Sequence, residues 1–174
     1  MTFKLKKEKF AAFLELQAQE KSTFLNMLAG LEKPTKGSIL IGGRDIAKMS
    51  EKELAKFRQE NTGFIFQSYN LLPSLTAAEN VSLPLMFKGI SKNKREKIAK
   101  SMLKAVGLEN RMSHRPNQMS GGQQQRVGIA RAFVAKPNVV FADEPTGNLD
   151  TKTTAEVMEL RVRMCRKYNQ TLIL

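Results

Sequence analysis

Four apolar residues, Val139-Val140-Phe141-Ala142, run without a break into Asp143-Glu144-Pro145. An apolar run this short, set between patterns of helical length, reads as a strand buried on both faces, which is the habit of parallel sheets. Open sheets of that kind bind ligands at the C-terminal ends of their strands. An Asp there can hold Mg2+, directly or through water. A Glu beside it can orient or deprotonate an attacking water. A pair of solvated loop carboxylates is the plainer reading of the same residues.

The rest of the chain supplies the partners such a strand needs. Residues 9–14, 38–41, 62–66 and 171–174 read as further strands, the second closed by Gly42-Gly43. Helices are expected over residues 22–31, 91–106 and 151–168. Another opens at Ser50 with Glu53 three residues on, the pattern of a capping box, and runs to about Arg58. Helical patches over residues 76–88 are interrupted by Pro84, and Gly107 stops the helix that starts near Ser91. Strands alternating with helices predict an α/β fold with a mostly parallel sheet. Three parts follow: residues 1–75 as the N-terminal part of the core, 76–118 as a strand-free helical insertion, and 119–174 as the C-terminal part.

A second motif, Met119-Ser120-Gly121-Gly122-Gln123-Gln124-Gln125-Arg126, opens a helix that reaches about Lys136, before Pro137. Open backbone amides at a helix N-terminus suit an anion. A simple N-cap is the alternative. Gly147-Asn148-Leu149-Asp150 follows the Asp-Glu strand, Phe66-Gln67-Ser68-Tyr69-Asn70-Leu71-Leu72-Pro73 precedes the insertion, and Lys21-Ser22-Thr23 lies near the start. Taken together these segments resemble the ATP-binding subunits of ABC transporters, in particular the bacterial lipoprotein-release, macrolide-export and FtsE-like group. The resemblance implies a P-loop NTPase-like ABC ATPase core with an inserted α-helical subdomain. It implies that Lys21, Ser22 and Thr23 contact ATP phosphates, and that Ser22, Gln67 and Asp143 attend Mg2+. Glu144 is then the catalytic base and Gln67 the sensor that couples to the membrane subunit. Ser120, Gly121, Gly122 and Gln123 would close over ATP held by a second copy, with Asp150 across the dimer. The implied cofactors are ATP and Mg2+. The implied partners are a second ATPase subunit and a transmembrane permease subunit.

The sequence departs from the pattern at the phosphate loop. The family motif is G-x-x-x-x-G-K-[ST], and Glu15 and Glu20 stand at its two glycine positions, with no glycine between them. Glycine reaches left-handed backbone angles that cost other residues ~1–2 kcal/mol each. Like charges 4 Å apart repel by about 4 kcal/mol at an effective dielectric near 20. Residues 5–29 contain neither Gly nor Pro and are rich in helix formers, so a longer helix competes with the strand at 9–14. Only 20 residues precede Lys21, too few for a complete N-terminal β-subdomain, and the chain ends at Leu174, before the family's switch histidine. The expected chain is therefore an ABC cassette truncated at both ends. An engineered sequence, a degenerate copy and a sequence altered at the loop all fit, and the resemblance alone leaves ATP hydrolysis open.

Composition narrows the alternatives. Cys165 is the single cysteine, which excludes an internal disulfide framework and a Cys-rich zinc site. It is expected half-buried or buried on its helix, and His114, the single histidine, on the surface. No apolar run approaches the ~20 residues of a membrane span. The expected location is cytoplasmic, peripheral at the inner face of the cell membrane. The formal charge is +13, but the basic residues are scattered. The cluster Lys92, Lys94, Arg95, Lys97 and Lys100 reads as a solvated helix face, and no aromatic stacking pattern accompanies it. No specific nucleic acid is expected. Arg161 borders the apolar stripe of Ala155, Met158, Val162 and Cys165, where a long Arg can snorkel to water but an apolar residue would fit better. The alternative function is a non-catalytic ABC-fold module that no longer binds ATP productively.

Overall fold

The computed structural model describes residues 10–11, 18–142 and 151–173. Four strands, β1 (Phe10–Ala11), β4 (Thr62–Ile65), β5 (Val139–Ala142) and β6 (Thr171–Ile173), form one parallel sheet in the order β1-β6-β5-β4. A separate hairpin pairs β2 (Leu40–Ile41) with β3 (Arg44–Asp45) in antiparallel fashion. Its two-residue loop is Gly42-Gly43, with φ of 57° and 78°. Positive φ at both loop positions is what the tightest hairpin turn demands, and glycine adopts it without strain. The second hairpin strand escaped sequence reading because Arg44 and Asp45 carry no apolar signal. Asp45 is instead fixed by its carboxylate, which accepts from the amides of Ile39 and Ala47.

Period-two alternation distributes the sheet between two layers. Val140, Ala142, Leu172 and Ile65 join the main core, and Phe141 and Ile173 face the opposite way onto Leu25 and Ala29. The helix carrying Leu25 is α1 (Ala18–Leu28). It starts four residues earlier than the sequence pattern suggests. Phe10–Ala11 is a strand paired with β6, so a single helix does not replace the whole strand–loop–helix unit. On the other face lie α5 (Gly121–Val134) and α6 (Thr151–Tyr168). Here Gly63 of β4 is required: a Cβ would stand 2.3 Å from the backbone oxygen of Ala132.

Helix α2 (Glu51–Asn61) opens with the expected Ser50–Glu53 capping box and runs on past Arg58. It packs Leu54 and Phe57 against Ile46, behind the hairpin. Helices α3 (Ala77–Phe87) and α4 (Lys92–Ala105) pack on each other and on α5. Pro84 does not interrupt α3, contrary to its sequence reading. It stands in the last turn, where it forfeits one backbone bond, and Val81 and Leu85 anchor that stretch in the core. Gly107, with φ of 76°, ends α4 in a Schellman turn: the amide of Leu108 donates to Leu103 and that of Gly107 to Lys104.

The structure decides two readings of single residues. Arg161 does not snorkel. It is 0% exposed on α6, between Leu160 and Met164, and none of its guanidinium nitrogens has a hydrogen-bond partner among the described residues. Its position one turn from Cys165 places both on the packed side of a helix with no open edge there. His114 is half-buried rather than on the surface, with Nε2 2.8 Å from an Arg111 Nη1 and its carbonyl accepting from Ala77. Cys165 is half-buried on its helix, as expected.

Candidate functional site

Strands β4 and β5 run parallel in register, Ile65 beside Ala142. Their C-terminal ends therefore lie side by side. After β5 the sequence continues with Asp143 and Glu144. These two and Asp150 lie outside the described residues. From β4 the chain passes through Phe66 to Gln67, which is half-buried in a turn. The turn is tight: the amide of Tyr69 donates to Phe66 and that of Asn70 to Ser68. Tyr69 and Asn70 take φ of 60° and 46°. Asn tolerates this left-handed region, but a Tyr there costs ~1–2 kcal/mol and must be held by its surroundings.

Two polar side chains do the holding. Arg131 of α5 donates to the Tyr69 oxygen at 2.8 Å and to the Asn70 oxygen at 2.5 Å. Burial pulls the Arg131 guanidinium below its ordinary pKa. Asn80 of α3 is 0% exposed. It accepts from the Leu72 amide at 2.8 Å and donates to the carbonyls of Leu72, Leu75 and Thr76. Neither residue was found from the sequence. The available signal was a polar side chain inside an otherwise buried helical run: Arg131 between Ala130 and Ala132, and Asn80 beside Val81.

Ser120 caps α5. Its hydroxyl accepts from the Gln123 amide at 3.3 Å, and the Gln123 side-chain oxygen accepts from the Ser120 amide at 3.1 Å. This reciprocal box takes up two open donors at the helix start. Gly121 and Gly122 form the first turn behind it. Gly122 abuts α6, where a Cβ would come within 2.8 Å of the Thr153 methyl carbon. Ser120 lies 11 residues before Arg131 on α5, roughly 16 Å along the helix axis at 1.5 Å per residue. Among the described residues, the side-chain hydrogen bonds of Ser120 and Gln123 join these two to each other and not to the Gln67 turn.

Lys21, Ser22 and Thr23 all fall inside α1. Thr23 is exposed. The side chains of Lys21 and Ser22 lie outside the described residues. A helix that begins at Ala18 leaves open the amides of its first turn and commits those of Ser22 and Thr23 to intrahelical bonds. Glu20 falls in that first turn. Negative charge there stabilises the helix and opposes an anionic ligand.

The exposed edge of β4 carries a cleft of about 460 Å³, walled by Phe64, Phe66, Leu83, Pro84, Phe87 and Arg131. Phe64 stacks on Phe66 with centroids 5.8 Å apart. Phe87 is 66% exposed, the most exposed of the large apolar side chains described. A basic recess lined by Lys52, Lys56 and Lys88 continues from it on the far side of Phe87. The Lys88 ammonium donates to the carbonyls of Ala135 at 3.0 Å and Glu60 at 3.4 Å. Desolvation lowers its pKa, partly opposed by the Glu60 charge. No helix among the described residues is long and apolar enough to cross a membrane.

Comparison with known proteins agrees with this arrangement. An uncharacterised ABC transporter ATP-binding protein of Thermotoga maritima is 52% identical over 153 residues, covering 88% of this chain and 65% of the relative. The lipoprotein-releasing system ATP-binding protein LolD of Geobacter metallireducens is 46% identical over 154 residues, covering 88% of this chain and 68% of LolD. The chain thus spans about two thirds of the length of these relatives. A dimeric ATP-binding cassette solved in a post-hydrolysis state with ADP and phosphate superposes with a TM-score of 0.86 at 40% identity, over 98% of this chain and 75% of the cassette. The sequence profile described as ABC transporter matches residues 1–147, and this chain belongs to the ABC transporter family of ATP-binding proteins.

Proposed function

We propose that this chain acts as the ATP-binding subunit of an ABC transporter, paired with a second cassette and held at the inner face of the cell membrane by a transmembrane permease. The observation that carries this reading is the parallel register of Ile65 with Ala142, which puts side by side the strand ends that Gln67 and Asp143 follow in sequence. In that reading Asp143, Gln67 and Ser22 attend Mg2+, and Lys21 and Thr23 contact phosphate. Glu144 acts on the attacking water, and Asp150 faces the dimer partner. The dimeric assembly of the ADP- and phosphate-bound cassette that this chain resembles supports a site shared by two chains, in which Ser120, Gly121, Gly122 and Gln123 would serve the nucleotide of the neighbour. The apolar cleft beside the Gln67 turn supports a permease contact, because its exposed Phe87 has no cover within the described residues.

A second reading rests on its own observation. Helix α1 begins at Ala18, so the segment that should wrap phosphates is helical through Glu20, Lys21 and Ser22. That favours a family member whose nucleotide site is weak or idle and whose role is to occupy the permease. Isothermal titration with Mg-ATP separates the two. Micromolar binding that needs Mg2+ is the outcome expected of the first. Silence up to millimolar ATP sinks the first and leaves the second.

A further inference from the structure

Nothing in the family resemblance gives Arg131 a role, yet its guanidinium holds the turn that presents Gln67. Arg131 sits on α5, 62 residues along the chain from Tyr69. It donates to two successive carbonyls, those of Tyr69 and Asn70, whose backbones both take the left-handed form. Pointing two carbonyls at one cation is the arrangement a planar, multi-donor head serves and a single ammonium does not. Gly128, one turn earlier on α5, faces the same carbonyl: a Cβ there would meet the Tyr69 oxygen at 3.9 Å, an ordinary contact.

The turn is held at three places. Its start is fixed by the β4–β5 register, and its end by Asn80 on Leu72. Its middle rests on Arg131. The capping of α5 at Ser120 sets the axial position of Arg131 in turn, because both stand on one unbroken helix. Arg131 is also a wall of the cleft, beside Phe66 and Pro84. One side chain thus touches the backbone that carries Gln67, the helix that begins at the Ser120 motif, and the cleft at the sheet edge.

We propose that Arg131 is a positioning residue that sets where Gln67 stands, and that it ties this position to α5 and to whatever fills the cleft. The functional value of that placement rests on the reading of Gln67 as a nucleotide-facing residue. The placement itself does not.

The test uses the full chain, labelled with 15N, as wild type, R131K and R131M. The Gln67 side-chain amide signal is identified by its loss in Q67E. In R131M that signal is expected to shift or broaden, and backbone amides of residues 68–71 to exchange with solvent at least tenfold faster. Residues 121–134 should exchange within about twofold of wild type. R131K, which can reach one carbonyl at a time, should fall between. A purely packing role would lower Tm and leave the Gln67 signal unmoved. An unchanged signal with unchanged exchange at 68–71 overturns the proposal. If R131M does not fold, R131K decides alone, and wild-type behaviour there overturns it equally. None of these readouts uses nucleotide. A shift in Gln67 with no Mg-ATP binding leaves the positioning role standing while the nucleotide reading falls.

Discussion

Arg161 is a charge placed where the helix needs a hydrocarbon. Desolvation lowers its pKa to about 10, against which the nearby Cys165 thiol acts in the opposite sense. A cation with a lowered folded-state pKa penalises folding fully below that value, and the penalty lifts only as pH rises above about 10 toward the ordinary guanidinium value. R161L should therefore stabilise the chain by about 2 kcal/mol, or about 4–8 °C in Tm. The gain should be flat from pH 6 to 9, as thermal melts across that range would show. A loss of stability would mean that the guanidinium has a partner outside the described residues. Cys165 is coupled to the same site. Burial raises its pKa to about 11 from an ordinary 9.0, partly offset by Arg161. Its thiolate fraction at pH 8 is then about a hundredfold below that of a free cysteine, and iodoacetamide should react correspondingly slowly. Alkylation at the rate of an exposed thiol would contradict the packing described for α6.

At the scale of elements, the contact between β4 and α5 is made by backbone. Gly63 lets the strand lie on the Ala132 carbonyl, so G63A must push the two apart. The cost expected is about 3 kcal/mol, the upper range for overpacking, or roughly 6–12 °C in Tm. G107A should cost less, because there the strain is local to the end of α4. The same elements show what the residues disclose in advance. Strand β5, the α2 capping box and the Gly107 stop were legible because each is encoded within a few neighbouring residues. Strand β3 was not, since Arg44 and Asp45 have polar side chains and pair through backbone alone. Pro84 misled in the other direction. Its local preference is to break a helix, and the burial of Val81 and Leu85 outweighs one missing bond.

For the whole molecule, the family motifs were legible in the sequence, while the braces behind them were not. Ser120–Gln123 and Gln67 stand in short segments with their own chemistry. Arg131 and Asn80 act on carbonyls and amides whose positions exist only after α3, α5 and β4 have packed. The phosphate loop is the opposite case: Glu15 and Glu20 advertise their conflict with an anion before any folding is considered. E15G/E20G should spare a phosphate-wrapping loop left-handed costs of ~1–2 kcal/mol at each position together with the charge repulsion, and tighten Mg-ATP binding at least about a hundredfold. The same titration on the double variant checks this. An unchanged affinity would place the defect elsewhere, in the two thirds of a cassette that this chain represents. Lys88 bears on how such a molecule could move. Its single ammonium latches the end of α3 to the last carbonyls of α2 and of α5. Helices α3 and α4 therefore cannot swing away from the sheet as a free arm. Neutralising that lysine would loosen this corner and leave the apolar packing of α3 on α5, with Gln59 on the Phe87 carbonyl, to hold the rest.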